Sequence, residues 1–567
     1  MALAPIRGSL VQCLRDNNID VVTGTDYPTY LEASQTFSKL FRSWPSAIAY
    51  PNNTEEVAAA VKCAAKYNTA VRPRCGGHGN EGESVTTGAL TLDLSRMSTV
   101  KMAKDGNSVT VQAGARVGTV IAQLWKQSNG TRGFPGGQRP TVGISGYTLG
   151  GGFGGTTRWA GLAGDNLIAL TAIDGKGRIL RADHTKNSDL LWVSRGGGGG
   201  RIALITEFVF RTMDVSTKVT QLSALIPRDR AVEVTNWWQT WQSSLSNKFT
   251  TRVDYTNNTD DGQVSVELTG WCMGGQEECE RELNATIAED KPVLDLLIKL
   301  SESDLTQAIQ DVYLNAVVNG IGWEVPEGYT ALEAVNDPQA WLGERSYYKY
   351  KTVILQEPLP PEGIQAVLDY ASSGERGTRV FEFQVTSVAQ EASLACSVVS
   401  CQLGGAPRGE RGTRVFEFQA LGGAAAEVPK LATAAANLRT AGAILILRAN
   451  SKNESEALIA LHNATQTIDK LIKLVPRYQA YVSFVDTDIV AFADWQSAYY
   501  GDALEGVVCA NLKYDPSDIF TMPLDLASDN PGLSEADSDK CNRLLRKLGA
   551  EAAAWSRHLM KNAPARG

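Results

Sequence analysis

Apolar and polar positions divide the chain into a mixed α/β N-terminal part and a strand-rich middle. Between Pro51 and Asn68, Val57, Val61 and Ala65 recur on one helical face. Asn53 stands at the cap position with Glu56 three residues later, which predicts a capped amphipathic helix. Ala70 to Arg74 then predicts a short buried strand. Further strands are predicted over Ala89 to Leu94, Ser108 to Ala113 and Ala203 to Phe210, with a second amphipathic helix over Val117 to Gln127. Asn166 to Ile173 and Arg178 to Arg181 flank Asp174-Gly175-Lys176-Gly177 and read as a hairpin. Beyond Ser216, runs such as Gln263 to Thr269 alternate as strands do. Trp271 lies in the same region, and Trp237, Trp238 and Trp241 share a helical spacing that suits core packing, with stacking on a sugar or aromatic ligand as the alternative. Ser534 to Lys561 predicts an amphipathic helix with Cys541, Leu544, Leu545 and Leu548 on one face, suited equally to packing and to partner binding.

These elements frame three glycine clusters. The first, Arg72-Pro73-Arg74-Cys75-Gly76-Gly77-His78-Gly79-Asn80-Glu81-Gly82, holds one of only four histidines in 567 residues. It leaves a predicted strand, the position at which α/β folds bind ligands, and glycines let a ligand approach the main chain. The second spans Gly133 to Gly155. Gly150, Gly152 and Gly155 fit a dinucleotide fingerprint with Asp174 as its acid, but Pro140 to Ser145 is no apolar strand and Thr156 to Gly161 no clear helix, so that reading is rejected. An extended glycine-lined wall whose N–H groups meet a pyrophosphate is expected instead. The third, Arg195 to Gly200, runs into the strand at Ala203.

Charged residues at 20%, hydrophobic residues at 43% and no apolar run of bilayer length describe an ordinary globular chain, with no membrane partner expected. A net charge of -8 without a basic block argues against a nucleic-acid partner. Nine cysteines contain no Cys-x-x-Cys and show no ligand spacing with the histidines, so no metal is expected. The N-terminal segment has no secretion-signal pattern, yet sequons begin at Asn52, Asn129, Asn257, Asn284, Asn453 and Asn463. The compartment is left open, with secretion expected if a leader precedes the segment.

Residues 45 to 212, with PSAIAYP, RPRCGGHGNEG, VQAGARVG, PTVGISGYTLGGGFG, DNLIALTAIDGKGRIL and DLLWVSRGGGGG, resemble the FAD-binding domain of berberine-bridge-enzyme-like flavoproteins, a group that includes fungal glucooligosaccharide oxidases. Tyr499-Tyr500-Gly501 and Lys513 to Phe520 resemble the family's closing signature. The resemblance implies a two-lobed α+β fold: a PCMH-type, vanillyl-alcohol-oxidase-like FAD domain split between both ends, and a substrate domain with an antiparallel sheet covered by helices. The expected divisions are 1–213 for the FAD domain (core about 41–213), 214–488 for the substrate domain, 489–526 for the return, and 527–567 for a helical tail.

The resemblance implies FAD bonded through His78 alone, because Arg139 stands where many relatives carry a second, cysteinyl attachment, and Tyr147 where they carry a His. It assigns cofactor contacts to Arg74, Cys75, Gly76, Gly77, Gly79, Asn80 and Gly82, then to Pro140, Thr141, Val142, Gly143, Gly146 and Tyr147. Gly150, Gly151, Gly152, Gly154, Asp165, Asn166, Ile205, Tyr499 and Tyr500 complete that set. Ile144 falls at an oxygen-gating position, and Cys13 and Cys63 match a disulfide of plant and fungal members.

Oxidation of an alcohol or hemiacetal carbon needs a hydride acceptor and a base for the hydroxyl proton. At the family's acidic position this chain has Gln419, which cannot be a base. Glu417 lies on the same strand face and is the substitute, unless it is merely a solvated edge charge. Tyr481, in Tyr481-Val482-Ser483 where relatives have Tyr-x-Asn, is the first choice of catalytic residue and serves as base provided its pKa is depressed. The family's segment at Thr433 to Arg439 is also altered.

Gly374 to Gln384 recurs letter for letter at Gly409 to Gln419, and only the second copy runs into Leu421-Gly422-Gly423-Ala424. A duplicated or inserted segment near 385–419, from an exon edge or retained intron, is expected. The sequence therefore predicts an FAD-dependent oxidase for a small molecule, first an oligosaccharide, passing electrons to oxygen or another acceptor. A tailoring oxidase for an aromatic or terpenoid compound and a catalytically degenerate flavin-binding protein are the alternatives.

Overall fold

The computed structural model describes residues 9–561 except 138, 199, 216–217, 258–263, 288–295, 297, 305–344, 373–412, 440, 452, 492–493, 521–523, 525 and 527–534. The first predicted helix forms over Thr54–Lys66. Its cap is reciprocal: Asn53 Oδ1 accepts from the Glu56 N–H at 2.8 Å while Asn53 Nδ2 donates to Glu56 Oε1 at 2.7 Å. Val57 and Val61 are fully buried beneath it. The helix delivers the chain to strand Val71–Arg74, at the end of a four-stranded sheet ordered Asp20–Val22, Ala47–Tyr50, Leu90–Asp93, Val71–Arg74. The last three strands are parallel, so the His78 loop emerges at the carboxyl end of a parallel edge strand.

A second sheet of five antiparallel strands (Val100–Met102, Ser108–Gln112, Leu204–Arg211, Leu167–Ile173 and Ile179–Ala182) includes the predicted hairpin. One apolar core joins both sheets to helices Trp495–Tyr500 and Leu504–Tyr514 from the far end of the chain. The Val71 N–H donates to Ile519 O at 2.7 Å, and that of Gly175 to Tyr514 O at 2.8 Å. Helix Glu535–Lys561 packs on Ser188–Val193, where Arg195 donates to Ala552 O and Ser556 Oγ; it is a packing element.

The middle of the chain forms a seven-stranded antiparallel sheet, ordered Lys299–Asp304, Lys218–Ile226, Val264–Cys272, Phe249–Asn257, Thr413–Ala420, Ala443–Ser451, Tyr347–Leu355. Because side chains alternate, Val253, Phe418, Leu445 and Val353 point to one face and share a core with helices Ala231–Trp241, Pro361–Ser372 and Glu454–Ile472. Trp237, Trp238 and Trp241 lie in this core. The opposite face carries Arg252, Asp254, Glu417, Gln419, Arg448 and Tyr350 and looks toward the glycine-rich lobe.

Two expectations change. The second glycine segment is not extended throughout: Ile144–Leu149 is helical and Thr157–Ala160 makes one helical turn. The glycines and threonines there have poor intrinsic helix propensity, and packing of Ile144, Thr148 and Leu149 against the core overrides it. The Cys13–Cys63 disulfide is present, and Cys272–Cys279 and Cys509–Cys541, which no spacing rule suggested, join it. Cys541 is thus a bridge half rather than part of a bare apolar stripe. The strand Thr413–Ala420 belongs to the second copy of the repeat; the first copy lies outside the described residues.

Candidate functional site

A cleft of about 290 Å³ separates the glycine-rich lobe from the polar face of the seven-stranded sheet. Its floor is made by close backbone approaches. A Cβ on Gly76 would stand 2.4 Å from Gly143 N, and one on Gly154 2.2 Å from Gly136 O, so neither position admits a side chain. Gly77, at φ +68°, and Gly152, at φ +73°, need the left-handed region. Gly146 is different: a Cβ there meets nothing within 4 Å, so a side chain would stand in the cleft itself.

His78 faces this space. Its Nε2 lies 2.9 Å from Thr141 Oγ1, and its ring stacks on Phe37 with centroids 4.0 Å apart. Burial, with Arg116 and Arg139 nearby, lowers its pKa to about 3, so the imidazole is neutral at physiological pH. Cys75 also lines the cleft; burial pushes its thiol up to about 11, which leaves it unreactive.

Of the expected cofactor residues, Cys75, Gly76, Gly77 and Gly79 reach the cleft wall beside His78. So do Val142, Gly143, Gly146, Tyr147, Gly154 and Ile205. Others lie behind it. Thr141 orients His78, and Asn80 donates to Tyr350 O and Val485 O, fastening the loop to the opposite lobe. Arg74 pairs with Asp93 at 3.4 Å, and Gly82 packs on Phe41. Pro140, Gly150, Gly151, Gly152, Tyr499 and Tyr500 also stand back from the lining; Gly150 abuts Ser483, and Tyr499 OH accepts from the Asp486 N–H at 2.8 Å. Asp165 and Asn166 stand back from the lining too. Asp165 is buried against Arg439, accepting from its Nη1 at 2.8 Å, and Asn166 Nδ2 donates to Ala160 O and Leu162 O, so both lock the scaffold. Ile144 is likewise fully buried in the core and absent from the cleft wall.

The catalytic candidates converge on the cleft from the other lobe and its C-terminal neighbour. Tyr481 is buried between Phe153 and Phe484, and its hydroxyl accepts from the Gly152 N–H at 3.2 Å. The depressed pKa that its role as base required is not found: burial raises it, and bonds from Ser483 and Gly152 only offset this. Gln419 Nε2 donates to Gly154 O at 3.1 Å, a tie between lobes. Glu417 is partly buried in a central strand and lies 3.7 Å from Arg252 Nη1, so it is no solvated edge charge.

Sequence reasoning missed Arg252 and Asp254. Asp254 sits directly across from Glu417, and Arg252 bridges them, at 2.8 Å from Asp254 Oδ2. Burial pushes the Asp254 carboxyl up to about 7; Arg252 opposes the rise and Glu417 adds to it. Tyr350, Phe484 and Arg448 on the wall were also missed. The only available signal was strand alternation next to Glu417, and no motif marks it.

A family profile described as an FAD binding domain matches residues 45–183. The chain is 31% identical to the xylooligosaccharide oxidase of Thermothelomyces thermophilus over 64% of this chain and 68% of that protein. It belongs to the berberine-bridge-enzyme-like family of FAD-linked oxidoreductases. Similarity to the glucooligosaccharide oxidase of Sarocladium strictum is 30% identity over 58% of this chain and 60% of that one. The chain spans between about half and two thirds of the length of these and other curated relatives that it matches. A solved structure of the glucooligosaccharide oxidase from Acremonium strictum, described as carrying 6-S-cysteinyl, 8α-N1-histidyl FAD, superposes with a TM-score of 0.71 at 22% identity, covering 91% of this chain and 99% of that one. That likeness establishes the two-lobed α+β fold for this berberine-bridge-like chain.

The residues present fit the cofactor. Glycines with no room for a side chain line one wall, Gly146 opens into the cleft, and the neutral His78 looks into the same space. Arg201 Nε, on the cleft wall and buried without a hydrogen-bond partner among the described residues, is the kind of unfilled polar position that a bound group would occupy.

Proposed function

We propose that this berberine-bridge-like chain is an FAD-dependent oxidase that removes hydride from an alcohol or hemiacetal carbon, first of an oligosaccharide, with oxygen as final acceptor. The observation that carries the reading is a single cleft with the neutral His78 on one wall and Glu417 on the other. The FAD domain and the oligosaccharide-oxidising relatives support it. Bound FAD would accept the hydride. His78, unprotonated and oriented by Thr141, is the attachment point, and Arg139 at the cysteinyl position leaves it a single one. Glu417 takes the hydroxyl proton, held toward the cleft by Arg252. Tyr481 stays protonated and donates a hydrogen bond to the substrate oxygen. The residue ranges 1–213 with 489–526 form the FAD lobe, 214–488 the substrate lobe and 527–567 the tail.

Denaturing gel electrophoresis of acid-precipitated protein, viewed for flavin fluorescence beside His78→Ala, tests the attachment: a fluorescent wild-type band that is lost in the variant is expected. Anaerobic mixing with cello-, xylo- and chito-oligosaccharides should bleach the flavin, and air should restore it with peroxide formed. A yellow protein left oxidised by every sugar and every aromatic alcohol tried would overturn the oxidase reading.

A further inference from the structure

Two guanidinium groups enter the cleft without an ion-pair partner among the described residues. Arg139 comes from the glycine-rich lobe and Arg448 from strand Ala443–Ser451 opposite. Arg139 Nη1 and Arg448 Nε are buried without hydrogen-bond partners, and neither side chain has an ion pair among the described residues. Arg448 is held over the Tyr350 ring, 5.6 Å from its centroid. Burial and then the charge of Arg448 lower Arg139 to about 10, so the two groups repel across the space between them. Tyr348, Tyr350 and Glu417 are the other ionisable groups whose fields reach Arg139. Of these Glu417 is the one acid, and it lies against Arg252.

Buried cations of like sign with unsatisfied donors are costly unless an anion joins them. Guanidinium forks match carboxylates in geometry as well as charge. Arg448 stands on the same sheet face as Glu417, two strand positions beyond Ile446 on the cleft wall, so an anion shared by the pair lies beside the proton acceptor.

We propose that Arg139 and Arg448 form a carboxylate subsite, and that the preferred substrate is an acidic sugar, with a uronate beside the unit being oxidised. The inference rests on the oxidase reading for its chemistry but has its own observable, which is binding. Isothermal titration of the holoenzyme would compare cellobiose with the same disaccharide bearing glucuronate at its non-reducing end. The acidic sugar should bind roughly tenfold tighter or more. Arg448→Met and Arg139→Met should abolish the difference, Arg448→Lys should keep part of it, and added salt should reduce it.

Equal affinity of the wild type for the two sugars overturns the proposal, whatever the variants do. Variants that weaken both sugars alike and shift the sulfite reactivity of the flavin would also overturn it, since the pair would then serve the cofactor's own charge. Acid-selective binding with a flavin that neither sugar, nor any other sugar or aromatic alcohol, reduces would support the subsite and remove the oxidase reading. Reduction by both sugars with equal affinity would do the reverse.

Discussion

Glu417 and Gln419 are two residues apart on one strand, yet the chemistry divides them. Gln419 spends its amide on Gly154 O, whereas Glu417 is an acid at the cleft with Arg252 beside it. Glu417→Gln is therefore expected to lower turnover roughly 10²- to 10⁴-fold with little change in sugar binding. Tyr481→Phe should cost less, because a phenol whose pKa is raised already carries its proton; stopped-flow flavin reduction separates the two. Asp254 supplies a pH test. Its folded pKa, about 7, lies above the unfolded carboxylate value, so the folded state binds more protons across the window between them. Its contribution to stability is thus lost as pH rises from about 4 toward 7. Asp254→Asn removes that dependence, and the melting temperature of the variant should gain on the wild type between pH 5 and pH 8. An unchanged gap would mean that Asp254 does not titrate there. His78 and its glycines were legible because their residue types are rare and local. Asp254 was not, because its partner Glu417 is brought opposite by strand pairing across a long stretch of intervening chain.

At the scale of elements, capped helices and alternating strands were read with ends accurate to within three residues where the apolar period was strong. Thr54–Lys66 and Leu167–Ile173 are examples. The helix Ile144–Leu149 was missed because glycine content masks its apolar face, and tertiary packing decided its conformation. That helix ends at Gly150, where a Cβ would stand 1.6 Å from Ser483 Oγ and 2.9 Å from Ser483 Cβ. Gly150 has ordinary φ, so the constraint is contact between lobes and not backbone strain. Gly150→Ala should destabilise by about 1–3 kcal/mol and lower flavin content. Pairing it with Ser483→Gly should recover most of the loss, a coupling that a double-mutant cycle in urea would measure. Additive losses would show that the two segments do not meet as described.

At the scale of the whole molecule, the two lobes were legible from the resemblance at both ends of the chain, while the covalent ties were legible only in part. Cys13–Cys63 was expected; Cys509–Cys541 was not, since Cys541 fell on an apolar helical stripe that reads equally well as packing. Three disulfides tie the described residues together, and such bridges persist under oxidising conditions. The Cys509–Cys541 bridge spans 32 positions and joins helix Leu504–Tyr514 to the long helix Glu535–Lys561, which covers Arg195 and donates from Trp555 Nε1 to Asp165 O. Closing a loop of that length stabilises by about 3–4 kcal/mol through the unfolded chain. Among the described residues, none of the long helix lines the cleft. Replacing both cysteines by serine should therefore lower the melting temperature by several degrees, while flavin content and oxidation rate at 25 °C stay unchanged. If the flavin were lost along with the stability, the terminal helix would be holding Asp165 and Arg195 in place for the cofactor lobe, and its part would extend from packing to the assembly of the site.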